Sequence, residues 1–260
     1  MIKLIVSDVD GTLLPEGTAD LDPEYFDVIR ALKAKGITFA AASGRQVNSI
    51  EKLFAPVLDE VYLISNNGGY VSYQGKELQC RSFSGEMVKE IVEYLRGQED
   101  YFYLITDVNG DYTDCDDPEM IEWLRDGYKI EIRQVPDVLK VDSRFIKLSG
   151  YAKKQDAAAA AEPAKKRFGG RAIATAAGAH WIDFTAPGGE KGNALKELQD
   201  MLGVTPEETM AFGDNHNDIG MLLRAAESYG VSGAREEVKK ICSHILPEGE
   251  TVLNIMKTLV

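Results

Sequence analysis

The chain has 260 residues, 44% of them hydrophobic, and 42 acidic against 29 basic side chains, for a formal net charge of −13. That length can bury a full core in one large domain or two unequal ones, and the acidic balance, with a pI near 4.8, excludes the broad basic face that nucleic-acid binding needs. Only a short apolar stretch precedes Asp8, and no uninterrupted apolar run approaches membrane-spanning length, so neither a membrane nor a nucleic-acid partner is expected and cytoplasmic residence follows.

The first element, Lys3 to Ser7, reads as a buried strand running into Asp8-Val9-Asp10-Gly11-Thr12-Leu13. Side chains two apart in an extended segment face the same way, so Asp8 and Asp10 can share one pocket before Gly11 lets the chain turn. Two like charges held that close need a cation or a shared proton, and Mg²⁺, with its preference for oxygen ligands and phosphate, would supply the cation. Read alone, the same segment also suits a surface turn with two solvated carboxylates.

Asp22-Pro23 places a cap and a first-turn proline before a helix ending near Gly36, with Phe26, Ile29 and Leu32 as its apolar stripe. Ile37 to Ala42 then reads as a strand, Val47 to Phe54 as a helix and Val61 to Ser65 as a third strand. This βαβαβ order calls for a parallel sheet, in which ligands gather at the carboxyl ends of strands. Polar clusters fall at three such ends: Asp8 with Asp10, Ser43-Gly44-Arg45, and Asn66-Asn67-Gly68.

After a hairpin at Gln74-Gly75 the pattern changes between about Phe83 and Thr185. A helix from Ser84 to Gln98, with Met87, Ile91 and Leu95 on one side, precedes strand-like segments at Tyr101 to Thr106, Lys129 to Gln134, Phe145 to Tyr151, Ala172 to Ala176 and Trp181 to Thr185. Asp117-Pro118 opens a short helix. Ala157 to Ala161 favours helix, which Pro163 should break or restart, and the small residues around Gly178 suggest a tight hairpin turn. The segment reads as a separate α/β insert at 83–185, leaving 1–82 and 186–260 as one core domain.

From Lys191 helical spacing returns with Leu195, Leu198 and Leu202, and Thr205-Pro206-Glu207-Glu208 fits a capping box. Thr209 to Phe212 is a short strand entering Gly213-Asp214-Asn215-His216-Asn217-Asp218, followed at once by a helix with Ile219, Leu222 and Leu223. A strand at Ser228 to Val231, a helix near Glu236 to Ile241 and a last helix with Val252, Ile255 and Leu259 complete the core. His216 has no partner histidine at useful spacing and suits a surface role better than a metal. Cys80, Cys115 and Cys242 are scattered, odd in number and lack C-x-x-C spacing, which favours reduced structural thiols.

Asp8-Val9-Asp10-Gly11-Thr12-Leu13, Ser43-Gly44-Arg45, Glu190-Lys191-Gly192 and Gly213-Asp214-Asn215-His216-Asn217-Asp218, in this order, resemble the motifs of the haloacid dehalogenase (HAD) superfamily. The insert, Ser65-Asn66-Asn67-Gly68 and Lys191-Gly192-Asn193-Ala194-Leu195 are similar to the Cof-like phosphatases, which carry an α/β cap of the C2 (IIB) type. The resemblance implies a Rossmann-like parallel-sheet α/β core with a second, smaller α/β cap. It implies a Mg²⁺-dependent phosphatase acting on a small phosphorylated metabolite, most plausibly a sugar phosphate.

Phosphate esters resist attack because their oxygens are negative, so a site needs cationic neutralisation and an aligned nucleophile. The spacing does not decide which aspartate attacks. The resemblance implies Asp8 as nucleophile, forming an aspartyl-phosphate, and Asp10 as general acid and base. It implies Mg²⁺ ligation by the Asp8 side chain, the Asp10 backbone carbonyl and the Asp214 side chain, with Asp218 acting through water or orienting its neighbours, although Asp218 also suits a helix N-terminal carboxylate offsetting the dipole. Ser43 and Gly44 with their backbone N–H groups, Lys191 and Asn217 would hold phosphate, while Arg45 and Asn67 either line the substrate pocket or satisfy loop backbone. A phosphotransferase or phosphomutase, passing the aspartyl-phosphate to a sugar, and a non-catalytic phospho-acceptor module are the alternatives.

Overall fold

The computed structural model describes residues 1–15, 18, 20–128, 131–177 and 179–260. The run Leu4-Ile5-Val6-Ser7-Asp8 forms β1 (Leu4–Asp8), buried at every position. Helix α1 (Glu24–Ala34) follows, its entry fixed by Asp22 Oδ1, which accepts from the Glu24 N–H at 2.9 Å. Its buried side is Tyr25, Val28, Ile29 and Leu32; Phe26, expected there, is only partly buried. Next come β2 (Thr38–Ala42), α2 (Val47–Leu53) and β3 (Val61–Ser65), then a hairpin of β4 (Tyr70–Tyr73) and β5 (Lys76–Cys80). Its two turn residues, Gln74 (φ 54°) and Gly75 (φ 68°), are both left-handed, the twist that a two-residue hairpin loop needs.

The insert contributes α3 (Gly85–Arg96), β6 (Tyr101–Asp107), β7 (Gly110–Thr113), α4 (Pro118–Tyr128), β8 (Ile132–Gln134), β9 (Lys147–Ala152), α5 (Ala157–Phe168), β10 (Ile173–Ala177) and β11 (Trp181–Thr185). Ser84 caps α3 by accepting from Met87 N–H at 3.2 Å, and Asp117 serves α4 in the same way through Met120 N–H at 3.1 Å. Pro163 neither breaks nor restarts α5, which runs through it. An interior proline costs about 3 kcal/mol, and burial of Phe168 with Ala157, Ala160, Ala161 and Ala164 is a gain of that size. Strand β7 has no counterpart in the sequence reading, because Gly-Asp-Tyr-Thr is too short and polar to stand out. Lys129 and Ile130, part of one expected strand, and Gly178 of the expected hairpin turn lie outside the described residues.

The chain then gives α6 (Lys191–Leu202), β12 (Thr209–Gly213), α7 (Ile219–Leu222), β13 (Glu227–Gly230), α8 (Glu236–Ile241), β14 (His244–Ile245) and α9 (Val252–Lys257). Leu223, expected on the buried side of α7, is 64% exposed because the helix has already ended. The Thr205 capping box is present on a single 3₁₀ turn.

Two compact units result, Met1–Cys80 with Gly188–Val260, and Arg81–Pro187. The second is two residues longer at each end than the segment read from the sequence. Phe83 N–H already donates to the Phe145 carbonyl at 2.9 Å, which ties the approach to α3 to the insert.

Among the described residues, the first unit holds a sheet in the order β14-β13-β12-β1-β2-β3-β4-β5, parallel from β14 through β3 and antiparallel at β4 and β5. Ile5, Phe39 and Leu63 face α1 and α9; Leu4, Val6, Ala40 and Ala211 face α6, α7 and α8. The result is a three-layer α/β/α core. In the second unit the order is β10-β11-β9-β6-β7-β8, antiparallel except for β7 with β8. Tyr103, Ile105, Leu148 and Phe184 pack on α3 and α5, and Phe102 and Leu104 on α4. No helix among the described residues is long and apolar enough to cross a membrane.

Candidate active site

Because β12, β1, β2 and β3 are adjacent and parallel, their carboxyl ends meet at one edge of the sheet. Asp8 is the last residue of β1 and 5% exposed. Beyond it the chain closes a turn in which Thr12, Leu13 and Leu14 N–H groups all point at the Val9 carbonyl. Gly11 sits at φ 90°, and a Cβ there would lie 2.8 Å from Asp214 Oδ2. That close approach lets the β1 loop meet the β12 loop, where Thr12 Oγ1 donates to Asp214 Oδ1 at 3.2 Å.

Lys191, first residue of α6, is fully buried. Its ammonium donates to Asp8 Oδ1 at 2.5 Å and to Asp218 Oδ1 at 2.7 Å. Asp218 spends its other oxygen on the backbone N–H groups of Asp214 and Asn215, both at 3.0 Å. Both of its oxygens thus accept from donors of this chain, which ties Lys191 to the β12 loop.

Burial pushes the Asp8 carboxyl up to about 7, with Lys191 opposing and the Asp218 and Asp214 charges adding to the rise. Asp214 is also raised, first by burial and then by Asp218. Burial acts to lower the Lys191 pKa, but the Asp218 and Asp8 carboxylates outweigh it and raise it. One ammonium thus stands against three carboxylates, and the deficit falls on Asp8 and Asp214.

The deficit has a location. Carboxylate oxygens of Asp8, Asp214 and Asp218 lie within 4.8 Å of one another, and Asp8 Oδ2 is buried without a hydrogen-bond partner. A hard divalent cation with oxygen ligands fits this donor set and would stabilise the charged form of Asp8. Asp8 and Asp214 have oxygens to offer it.

Asp10, 53% exposed, receives Ser43 Oγ at 3.3 Å and a fork from Arg45, Nε at 3.0 Å and Nη2 at 2.7 Å. Ser43 is fully buried, and its Oγ also accepts from the Arg45 N–H at 3.0 Å. Asn217 and Asn67 meet each other, Nδ2 to Oδ1 at 2.9 Å, and Gly44 sits against the Asn67 amide. The structure therefore brings Asp8, Lys191, Asp214 and Asp218 together, with Asp10, Ser43 and Arg45 as a second group and Gly44, Asn67 and Asn217 as a third. His216 is exposed, 3.7 Å from Glu237 on the surface.

Two contributors escape the sequence. Thr12 lies in the first motif yet gives no sign of bonding Asp214. Arg235 donates its backbone N–H to the Asp214 carbonyl at 2.9 Å and Nε to Asn215 Oδ1 at 2.8 Å, a partnership that only the parallel pairing of β12 and β13 creates. In the insert, a groove of about 490 Å³ is lined by Arg96, Tyr103, Asp114, Asp117 and Lys153, whose charges pair with one another.

The sequence matches the haloacid dehalogenase-like hydrolases over residues 5–253. The chain belongs to this family. A solved protein from Eubacterium rectale is 33% identical, with a TM-score of 0.93 over 100% of this chain and 99% of its own. The 5-amino-6-(5-phospho-D-ribitylamino)uracil phosphatase of Escherichia coli is 27% identical over 91% of this chain and 88% of its own length. Phosphoglycolate phosphatase 1 of Saccharolobus solfataricus is 26% identical over 94% and 89%. The chain is an enzyme, a HAD-type phosphatase, with the parallel-sheet core and second sheet of that fold.

Proposed function

We propose that this HAD-family enzyme hydrolyses a small phosphorylated metabolite through an aspartyl-phosphate on Asp8, with Mg²⁺ at the Asp8 and Asp214 carboxylates. The observation that carries this reading is the state of Asp8: one oxygen fixed by Lys191 at 2.5 Å, the other buried and unpartnered. A carboxylate so held is pre-aimed, and its missing counter-charge is what a bound cation provides. When bound, Mg²⁺ neutralises phosphate charge and orients the ester.

The chain's own residues do the rest. An Asp8 oxygen attacks phosphorus as the ester P–O bond breaks, and the leaving alkoxide takes the Asp10 proton. Asp10, now a carboxylate, removes a proton from water, whose oxygen attacks phosphorus while the bond to Asp8 breaks. Free phosphate leaves and both aspartates return to their starting forms. Lys191, Ser43 and the N–H groups after it, Gly44 among them, and Asn217 supply donors to the phosphate oxygens.

A sugar or polyol phosphate is the favoured substrate class, in line with the phosphorylated ribityl group in the name of the Escherichia coli relative. Residues 83–185 are proposed as the C2-type cap that chooses the leaving group, and cytoplasmic residence accompanies a diffusible substrate. The test is phosphate release from a panel of sugar phosphates, nucleotides and phosphorylated cofactors, with and without Mg²⁺. Metal-dependent release that disappears in Asp8→Asn supports the reading; release that survives this substitution refutes it.

A further inference from the structure

Three successive residues after β3 have positive φ: Asn66 (49°), Asn67 (59°) and Gly68 (108°). Most side-chain-bearing residues avoid this region, and asparagine is one of the few that enter it readily; two in succession before a glycine are further fixed by surrounding contacts. Here those contacts come from the chemistry-bearing loops. Asn66 N–H donates to the Arg45 carbonyl and Asn67 N–H to the Ser43 carbonyl, both at 2.9 Å. A Cβ on Gly68 would lie 2.6 Å from the Glu190 carbonyl and 3.0 Å from Lys191 N, so the turn touches the start of α6 as well. From its centre, Asn67 Oδ1 accepts from Asn217 Nδ2 at 2.9 Å, and a Cβ on Gly44 would stand 3.1 Å from that same oxygen.

We propose that Asn67 is a positioning residue: it fixes the Asn217 amide so that nitrogen, rather than oxygen, faces the phosphate. This rests on the reading of Asn217 as a phosphate contact. An amide nitrogen carries two N–H donors. With one on Asn67, the other remains for a phosphate oxygen. The Asn217 residue is exposed, and its amide, if unheld, can turn its oxygen to the phosphate, an acceptor facing acceptors. Asn67 removes that orientation without touching the substrate, and Gly44 leaves it room.

The test compares wild type, Asn67→Gly, Asn217→Ala and the double variant. Glycine keeps the left-handed backbone and removes only the amide. Binding of inorganic phosphate to the Mg²⁺-loaded proteins is measured by calorimetry, together with kcat and KM for 4-nitrophenyl phosphate. Each single variant is expected to weaken phosphate about fivefold, the size of one hydrogen bond, and the double variant no more than the weaker-binding single. The melting temperature of Asn67→Gly stays within about 2 °C of wild type. Multiplicative losses in the double variant, or a loss from Asn67→Gly that persists in full in the Asn217→Ala background, would overturn the positioning role. Unchanged phosphate affinity in Asn217→Ala, or no phosphate binding by wild type, would instead remove the reading beneath it.

Discussion

Arg45 grips Asp10 with two nitrogens, Nε at 3.0 Å and Nη2 at 2.7 Å, from a side chain 26% exposed to one 53% exposed. An ion pair this open contributes at most about 1 kcal/mol to stability, so its value lies in aiming Asp10. Arg45→Lys keeps the charge but loses the planar fork. We expect kcat to fall about tenfold, the scale of a misplaced acid–base group, with a melting temperature within about 2 °C of wild type. Steady-state kinetics beside a melting curve check this; equal kcat in the lysine variant would remove the aiming role.

Lys191 behaves differently because it is fully buried between Asp8 and Asp218. Lys191→Met leaves two buried carboxylates without their cation, a loss of about 3–5 kcal/mol. In Mg²⁺-free buffer the core transition should drop by roughly 10 °C. A drop of only a degree or two would show that the pair does not hold the site together.

Metal and proton compete for Asp8. Its folded pKa is raised from 3.8 to about 7 by burial, so without metal the folded state holds a proton that the unfolded chain releases. That contribution to stability is full below about pH 4 and is lost as pH rises through about 7. Mg²⁺ binds the deprotonated form, so the rise in melting temperature on adding Mg²⁺ should be larger at pH 8 than at pH 5. In Asp8→Asn this pH dependence should flatten. An equal Mg²⁺ effect at both pH values in wild type would contradict the assignment of the cation to Asp8.

Gly192 and Gly220 bring α6 and α7 into backbone contact: a Cβ on Gly192 would lie 2.6 Å from the Gly220 carbonyl carbon. Backbone cannot move aside cheaply, so Gly192→Ala should cost about 1–3 kcal/mol and shift Lys191, its neighbour in sequence. The expected result is a melting temperature lowered by roughly 5 °C together with lower kcat/KM. Unchanged values for both would mean that the helices part freely.

The chain order of βαβ units and the polar residues at strand ends were readable because burial and loop chemistry leave periodic marks in sequence. Lys191 and Asp8, 183 positions apart, could be matched only through motif order. For Asp218 the sequence leaves a water-mediated, an orienting and a helix-dipole reading open, and for Asn67 a pocket and a backbone reading; only the fold shows their hydrogen-bond partners. Nothing in the spacing tells a helix-dipole carboxylate from one holding a buried lysine, or a pocket amide from one gripping Asn217. Strands β7 and β14 are short and draw their stability from neighbours, and Pro163 is outweighed by packing that no local rule contains.

The central claim is a covalent intermediate on Asp8, and the stereochemical course at phosphorus tests it most directly. With a phosphorothioate ester made chiral at phosphorus by sulfur and two oxygen isotopes, hydrolysed in water carrying the third isotope, two successive in-line displacements, first by Asp8 and then by water, give a chiral thiophosphate with net retention. Retention is the result predicted here. Inversion would mean a single direct attack by water, and Asp8 would then be a metal ligand without a covalent role.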